Sequence, residues 1–301
     1  MYTISDYLKS EFGGKVIKLS VDAGFTCPNR DGAKGDGGCI FCSPGGGGDI
    51  ASDIPGQIKL LSKKWRAQNY IVYFQSHTNT YAPVPVLREK FYTALAYPGV
   101  LGLAIATRPD CLGEDVLDLL AELNEKTHLW VELGLQTIHD KTASAINRCY
   151  PLSDFDAAFS ALSLRDIKSV VHLIFGLPGE TKDDMLDSVK YVCAEGLFGI
   201  KLHLLNVVSG SPMETLYPGY VPFDDLDEYV RLVADALEVI PPTVTIHRLT
   251  GDVPRKMLIA PEWSYKKRTI LNGIHREMMR RGSHQGIHFT PSRSGESLPS
   301  L

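Results

Sequence analysis

The chain has 301 residues, of which 44% are hydrophobic and 22% charged, so it can bury the core of one large domain or two small ones. Its net charge of −4 is not that of a strong nucleic-acid binder, and no window approaches the ~18 uninterrupted apolar residues of a membrane span. The N-terminus also lacks the basic start and apolar run of a signal peptide. These features predict a cytoplasmic globular protein without membrane contact, whose six cysteines are reduced thiols or metal ligands.

Short β-branched runs alternate with helix-like stretches along the chain, as in a parallel sheet with crossover helices. The predicted strands cover residues 16–21, 71–74, 101–106, 129–133, 169–175, 200–205 and 244–249. The predicted helices cover residues 55–69, 86–97, 113–126, 140–149, 153–165, 180–195 and 224–239. Six or seven such units fit a full or partial (β/α) barrel better than an open sheet, although periodicity alone does not separate the two.

Polar or special residues follow five of the predicted strands at their carboxyl ends. They are Cys27 and the segments 75–80, 107–110, 134–136 and 176–179. Because catalytic residues of (β/α) barrels collect at this end, the pattern predicts that the site lies there.

Three cysteines near the N-terminus, Cys27, Cys39 and Cys42, stand in a glycine-rich stretch with the spacing C-x11-C-x2-C. Three thiolates on a four-iron cluster leave one iron without a protein ligand, and an open coordination site indicates a metal that binds substrate. The glycines allow the loop to adopt positive φ values around such a cluster. Two alternatives remain: a zinc site completed by a distant ligand such as His77, and a flexible loop with incidental cysteines.

The stretches GFTCPNRDG and GGCIFC resemble the cysteine motif of radical S-adenosylmethionine enzymes, in their Elp3-related, YhcC/YtqA-like branch. The resemblance spans most of the chain, through FQSHTNTYAP, TRPDC, ELGLQT, HLIFGLPGET and HRLTGDVP to LNGIHREMMRRGSHQG. It implies an α/β fold, a partial TIM-like barrel over residues 1–250 with the cluster loop at 24–49. A basic, helical C-terminal extension over 251–301 then packs on the barrel, with a flexible tail after residue 291.

The resemblance also implies the cofactors and their ligands. A [4Fe–4S] cluster is bound by Cys27, Cys39 and Cys42, and S-adenosylmethionine chelates the fourth iron. Reductive cleavage yields a 5′-deoxyadenosyl radical that the barrel must enclose, and the electron comes from a donor such as flavodoxin or ferredoxin. The cofactor-binding residues carried over from the family are Phe41, Gln75, Ser76, Thr78, Asn79, Gln136, Arg148, Gly176 and Leu177.

Two positions depart from the family pattern. Ala106 and His172 stand where related enzymes often carry carboxylates, so ribose recognition must differ, and Glu132 is the candidate that compensates. His172 is then a cofactor contact, a proton donor or a buried core histidine. Cys111 follows TRPD at the predicted active face and is a candidate hydrogen-atom donor. No other catalytic residue is assigned.

The segment 255–281 carries eight Lys or Arg against two Glu, a charge of +6 on a body of −10. A helix over 264–281 places Leu271, Ile274 and Met278 on one face and the RNA-binding candidates Lys266, Arg276 and Arg280 opposite. Because Elp3-related enzymes modify the wobble uridine of tRNA, the resemblance implies tRNA as substrate. The alternatives are a radical enzyme acting on a small metabolite or a protein, and a zinc-stabilised RNA-binding or adaptor protein.

Overall fold

A curled sheet of seven parallel strands forms the centre of the protein in a computed structural model that describes residues 1–65, 68–193 and 196–290. The strands in chain order are β1 (Val16–Val21), β2 (Asn69–Phe74), β3 (Val100–Thr107), β4 (His128–Gln136), β5 (Lys168–Phe175), β6 (Leu197–Leu204), β7 (Val207–Val208), β8 (Thr245–Arg248) and β9 (Leu258–Ala260). The parallel sheet has the order β1-β2-β3-β4-β5-β6-β8, and β7 pairs with β9 in a separate antiparallel pair. The predicted partial barrel is confirmed.

Helices cover the outside of this half-barrel. They are α1 (Ile4–Phe12), α2 (Ile54–Ser62), α3 (Val84–Leu95), α4 (Glu114–Lys126), α5 (Asp140–Ala145), α6 (Leu152–Ser163), α7 (Lys182–Val192), α8 (Pro212–Leu216), α9 (Leu226–Val239) and α10 (Lys267–Arg281). The sequence did not predict α1 and α8. The helix predicted over 55–69 ends early, at Ser62. The helix predicted over 180–195 is longer at both ends than α7, which covers Lys182–Val192. Residues 66, 67, 194 and 195, which belong to these two predictions, lie outside the described ranges. Within those ranges no helix has the length and apolar character needed to cross a membrane.

The helix predicted over residues 140–149 is wrong in its second half. The chain leaves the helix after Ala145, and Asn147 and Cys149 adopt left-handed φ values of 56° and 61°. Such values end an α-helix, and asparagine tolerates them better than most residues. The resulting turn over 146–150 packs against the cysteine loop.

The amino-terminal end of the half-barrel is closed by α1. The amide of Ile246 at β8 donates to the carbonyl oxygen of Tyr2 at 2.8 Å, and the ring of Tyr7 lies 4.9 Å from that of Phe198. Leu8 shares a buried apolar cluster with Trp130 of β4. With this end filled by side chains, open space inside the sheet lies at the carboxyl ends of the strands.

The C-terminal helix α10 packs on α9, on the outside of the half-barrel. Ile270, Ile274 and Met278 are buried, whereas Leu271 is 45% exposed, so the predicted apolar face was wrong by one residue at its start. The reason is that 262–265 form a separate 3₁₀ turn and α10 begins only at Lys267. The domain boundary at residue 250 stays a prediction, and the predicted flexible tail lies outside the described residues.

Candidate active site

A cavity of about 270 Å³ opens at the carboxyl ends of the strands. Its wall runs from the cysteine loop across the ends of β2 to β6 and on to the loop after β8. Among the predicted site residues, the following line it: Cys27, Cys39, Phe41, Cys42, Gln75, Thr78, Glu132, Gln136, Arg148 and His172. The structure thus brings most of the predicted residues together around one space.

The three cysteine sulfurs lie at one wall of this cavity, with cations close to them. Asn29 donates its Nδ2–H to the Sγ of Cys39 at 3.5 Å. A hydrogen bond from Cys39 holds the pKa of the Cys42 thiol below its usual range, and the Arg30 guanidinium acts in the same direction against the effect of burial. The same hydrogen bond, together with burial, raises the pKa of Cys39, so these surroundings favour a thiolate, the form that binds iron, at Cys42.

Three thiols in one loop are the donor set of a four-iron cluster with one open iron. Within the described ranges, no three His, Cys, Asp or Glu side chains lie close enough together to hold a single metal ion. Among the described residues, the side chains are therefore not arranged as a single-ion zinc site with His77. Thiols are the ligands that a four-iron cluster takes.

The turn over 146–150 supports the cysteine loop from behind. Asn147 donates its side-chain amide to the carbonyl oxygens of Gly38 at 2.8 Å and Asp36 at 3.1 Å. Asn29 in turn donates to the carbonyl oxygen of Asn147 at 2.5 Å. Because α5 ends early, Asn147 can make these contacts, and they fix the loop that carries Cys39.

The glycine run at 45–48 folds over the end of β2. A Cβ on Gly46, whose φ is +59°, would lie 2.4 Å from Nδ1 of His77, and one on Gly48 would lie 1.9 Å from Oγ of Ser76. Neither position has room for a side chain. Gln75 then donates its Nε2–H to the carbonyl oxygen of Gly47 at 2.6 Å, which ties the run to the cavity edge.

Gln136 and Arg148, which were predicted to contact ribose and carboxylate, lie close together. The hydrogen-bond donors of Arg148 are mostly used within the protein. The fully buried guanidinium of Arg148 donates to the carbonyl oxygens of Leu135, Thr137 and Tyr150 at 3.1, 2.6 and 3.1 Å. Only its Nη2 makes no hydrogen bond within the described part of the chain. Most of its donors therefore hold backbone, and Nη2 lies 3.6 Å from Oδ1 of Asp140 in an ion pair. Both Gln136 and Arg148 line the cavity.

The carboxylate of Glu132 lies on the cavity floor at the centre of a buried ionic network. Among the described residues it accepts hydrogen bonds from Lys18 at 3.2 Å, Trp130 at 2.9 Å, His172 at 2.8 Å and Lys201. Burial alone would raise its pKa, but the two lysine ammonium groups hold that pKa well below its usual range. Since a carboxylate offers about four lone-pair positions, Glu132 has none left for a ribose hydroxyl.

His172 is neutral in this network. Burial and the nearby Lys201 ammonium lower its pKa to about 4, although the hydrogen bond to Glu132 acts in the opposite direction. A neutral imidazole that donates Nε2–H to Glu132 keeps Nδ1 as an acceptor. At neutral pH, His172 can therefore accept a hydrogen bond from a hydroxyl in the cavity, but it has no acidic proton to give.

Five predicted residues are not among those that line the cavity. Asn79 donates to the carbonyl oxygens of Phe74 and Ala106 at 3.0 and 2.8 Å, and Ser76 lies under the glycine run. Gly176 and Leu177 lie behind the wall, where Leu177 joins an apolar cluster with Ile40. Burial raises the pKa of Cys111 to about 12, so its sulfur stays a protonated thiol. The predicted roles of these residues stay predictions, and a protonated thiol is the form that the predicted hydrogen-atom donor Cys111 needs.

The three RNA-binding candidates on the C-terminal segment are exposed but lie far apart along α10. Lys266 is beside Lys267, which pairs with Asp252 at the cavity edge. Arg280 pairs with Glu277 at the other end of the helix, next to Gln285, which reaches the start of β8. At about 1.5 Å per residue, Arg276 and Arg280 are roughly 15 and 20 Å further from the cavity than Lys266.

Sequence reasoning missed several residues of the cavity wall. They are Tyr73, His203 and Asn206. Arg108 lies in the predicted segment 107–110 and Arg248 in the block HRLTGDVP, but neither was given a role of its own. Arg108 lies close to Cys39 and is held by two 2.9 Å hydrogen bonds to Asp110. The sequence did contain an indication of the polar groups at the bottom of the cavity. Lys18, Lys201 and His203 interrupt runs that are otherwise typical of apolar strands.

Comparisons with known proteins agree with this geometry. Residues 27–192 match the model of the radical SAM superfamily, and residues 198–280 match the radical SAM C-terminal domain. The chain belongs to the radical SAM superfamily, whose cofactors are a [4Fe–4S] cluster and S-adenosylmethionine. The first of these matches begins at Cys27, the first of the three cysteines.

Particular relatives fall at two levels of similarity. The chain is 46% identical to the YtqA protein of Bacillus subtilis (strain 168), over 96% of this chain and 92% of the relative. It is 37% identical to the YhcC protein of Escherichia coli (strain K12), over 91% of each. It is 29% identical to the tRNA uridine(34) acetyltransferase of Dehalococcoides mccartyi (strain CBDB1), over 53% of this chain and 35% of that protein.

A solved structure shares the fold. The Elp3 protein of the archaeon Methanocaldococcus infernus, with an N-terminal deletion, superimposes with a TM-score of 0.67 over 90% of this chain and 64% of that chain. The two sequences are 16% identical over this match, so the likeness concerns the fold alone. It agrees with the half-barrel described above.

Proposed function

We propose that the protein abstracts hydrogen from a uridine of tRNA, with the wobble-uridine side chain as target. Membership of the radical SAM superfamily supports the reaction class. Relatives named tRNA uridine(34) acetyltransferase support the substrate class. The observation that carries the proposal is the cavity, because three thiols form one of its walls and unpartnered polar groups form the opposite one.

In this proposal Cys27, Cys39 and Cys42 hold the [4Fe–4S] cluster. Once bound and reduced by a flavodoxin- or ferredoxin-like donor, the cluster would supply the electron for reductive cleavage of S-adenosylmethionine and so the means of hydrogen abstraction. The chain provides the surroundings. Arg30 and Arg108 offset the negative charge of the thiolates, and the turn over 146–150 fixes the loop.

S-adenosylmethionine would be held by groups at the ends of β2 to β5. Gln75, Thr78 and Gln136 line this part of the wall and offer polar groups, and Nδ1 of His172 offers an acceptor to a ribose hydroxyl. Phe41 and Ile174 offer apolar contact to the adenine ring. Because Glu132 is fully occupied, His172 takes the place of the carboxylate expected at the ribose.

A small metabolite or a protein segment is the second candidate substrate. The volume of about 270 Å³ favours it, since this is near the lower end of ordinary ligand pockets. A tRNA substrate must instead extrude the nucleotide into the cavity. The tRNA proposal also places the protein in the cytoplasm, where tRNA is found.

The test is 5′-deoxyadenosine release by anaerobically reconstituted, reduced protein with and without bulk tRNA. We expect release that rises several-fold when tRNA is added and stays at its basal rate when the tRNA is first digested with ribonuclease. Release that is unaffected by tRNA would favour the small-molecule or protein substrate. No release from protein with a verified cluster and a working reductant would overturn the proposed reaction.

A further inference from the structure

One wall of the cavity is not used by the cluster or by S-adenosylmethionine in the proposal above. It is formed by the end of β6, the end of β8 and the loops that follow them. The residues that matter are His203, Asn206, Arg248 and Gly251, called here the β6–β8 wall. It faces the same space as the three cysteines.

Asn206 is a buried amide without a partner. Its side chain is 9% exposed, its Oδ1 is buried and accepts no hydrogen bond, and its Nδ2 donates none to any described residue. Buried amides are normally hydrogen-bonded, and an exception in a cavity wall indicates a ligand that supplies the missing partners.

Gly251 makes room for that amide. A Cβ on Gly251 would lie 1.8 Å from Nδ2 of Asn206, although its backbone φ does not itself require glycine. The absence of a side chain here therefore serves the position of the Asn206 amide.

The neighbours of Asn206 also have free hydrogen-bonding capacity. The Nε2 of His203 is buried without a partner, and burial keeps its pKa well below the usual range, so the ring is neutral. Arg248 makes one ion pair, to Asp252 at 3.3 Å, within the described ranges, which leaves most of its donors available.

We propose that the β6–β8 wall binds the uracil base of the substrate, with the Asn206 amide paired to its imide edge. The imide N3–H donates to Oδ1 while the neighbouring carbonyl accepts from Nδ2, and Arg248 donates to another oxygen of the same nucleotide. This assignment rests on the proposed function, because it presumes that a nucleotide is extruded into the cavity.

The experiment uses reconstituted protein with S-adenosylhomocysteine and two anticodon stem-loop RNAs, one with uridine and one with 3-methyluridine at the wobble position. Because the methyl group removes the N3–H donor, we expect wild-type protein to bind the uridine RNA about tenfold more tightly. Asn206→Ala should reduce that ratio to about twofold or less. The exposed Asn272→Ala is the matched control and should keep it.

Gly251→Ala gives a second variant that leaves Asn206 itself in place. It should also lose the preference, and the double variant with Asn206→Ala should be no worse than Asn206→Ala alone, since both act through one amide. Equal binding of both RNAs by wild-type protein, or a preference that survives Asn206→Ala, would overturn this inference and leave the proposed function standing. No binding of either RNA by wild-type protein would overturn the tRNA substrate and this inference with it.

Discussion

The two sides of the cavity differ in how their polar groups are used. On the side of the early strands, Glu132 accepts four hydrogen bonds from described residues and Arg148 holds three backbone carbonyl oxygens. On the β6–β8 wall, Asn206 and His203 have buried atoms without partners. Buried atoms without hydrogen-bond partners also occur on the first side, in Asn29, Ser76, His77, Asn79 and Arg148. What distinguishes the first side is that its central carboxylate, Glu132, has its hydrogen-bonding positions filled by the protein.

This difference indicates how the protein divides its work. A cofactor that is the same in every turnover is best served by a rigid, preorganised surface. A substrate that enters and leaves needs groups that are free until it binds. The predictions below alter one side at a time.

The largest effect on folding should come from the floor network. Glu132→Gln removes the charge that offsets the buried ammonium group of Lys201 and that of Lys18. We expect the free energy of unfolding to fall by about 3–5 kcal/mol, measured by urea denaturation. Glu122→Gln, which breaks ion pairs to Arg88 and Lys126 on the surface, is the control and should change little. If the two variants lowered the free energy of unfolding equally, the buried ion pairs of Glu132 would not have the stabilising role described here.

The next effect concerns pH. Because the folded-state pKa of His172 is about 4 and the ordinary value is 6.5, the unfolded chain binds a proton that the folded protein does not bind in this window. Stability should therefore fall as pH drops from about 6.5 to 4, by up to about 3 kcal/mol from this residue. His172→Gln should remove that part of the loss in denaturation series across the window. If the stability of the variant depended on pH in the same way as that of wild-type protein, His172 would not be held neutral in the folded state.

A smaller effect is expected where the turn over 146–150 supports the cysteine loop. Asn147→Ala removes the hydrogen bonds to Gly38 and Asp36, and we expect a chelator to strip iron from the reconstituted protein about tenfold faster. Asn124→Ala, which removes a surface hydrogen bond to Asp166, is matched in chemistry and should keep the wild-type rate. Unchanged iron loss in Asn147→Ala would contradict the supporting role of the turn.

The smallest effect concerns the basic helix α10. Lys266→Ala should lower the slope of log affinity for tRNA against log salt by about 1, if this lysine contacts one phosphate at the cavity edge. Arg280→Ala should leave the slope unchanged, because this side chain lies far along α10 and pairs with Glu277. A larger effect of Arg280→Ala than of Lys266→Ala would place the RNA along the helix, as the sequence pattern predicted.

The sequence predicted the half-barrel well because its signals are local. Apolar runs mark strands, and Cys27, Cys39 and Cys42 carry their own spacing. The early end of α5 was not predictable in this way, since Asn147 turns the chain to meet the carbonyl of Gly38, more than 100 residues earlier.

The β6–β8 wall was missed for a similar reason. Asn206 belongs to no motif, and Arg248 lies in the block HRLTGDVP without a role that the sequence could assign to it. Their importance comes from lining the same cavity wall and from the unpartnered amide oxygen of Asn206, which only the packed strands determine. The sequence also could not show whether the hydrogen-bonding positions of Glu132 are already filled. Glu132 was expected to contact ribose, but Lys18 and Lys201, which lie on distant strands, bind its carboxylate instead.

The most direct test of the central claim is the origin of the hydrogen atom in the product. Reconstituted, reduced protein is supplied with S-adenosylmethionine and with bulk tRNA purified from cells grown in deuterated medium, so that the wobble-uridine side chain is deuterated. The 5′-deoxyadenosine is then analysed by mass spectrometry. We expect deuterium in the product from wild-type protein and from the surface variant Asn124→Ala, which lies outside the cavity lining, and no product from Cys39→Ala. Product without deuterium would contradict hydrogen abstraction from uridine, and product from Cys39→Ala would contradict the cluster assignment.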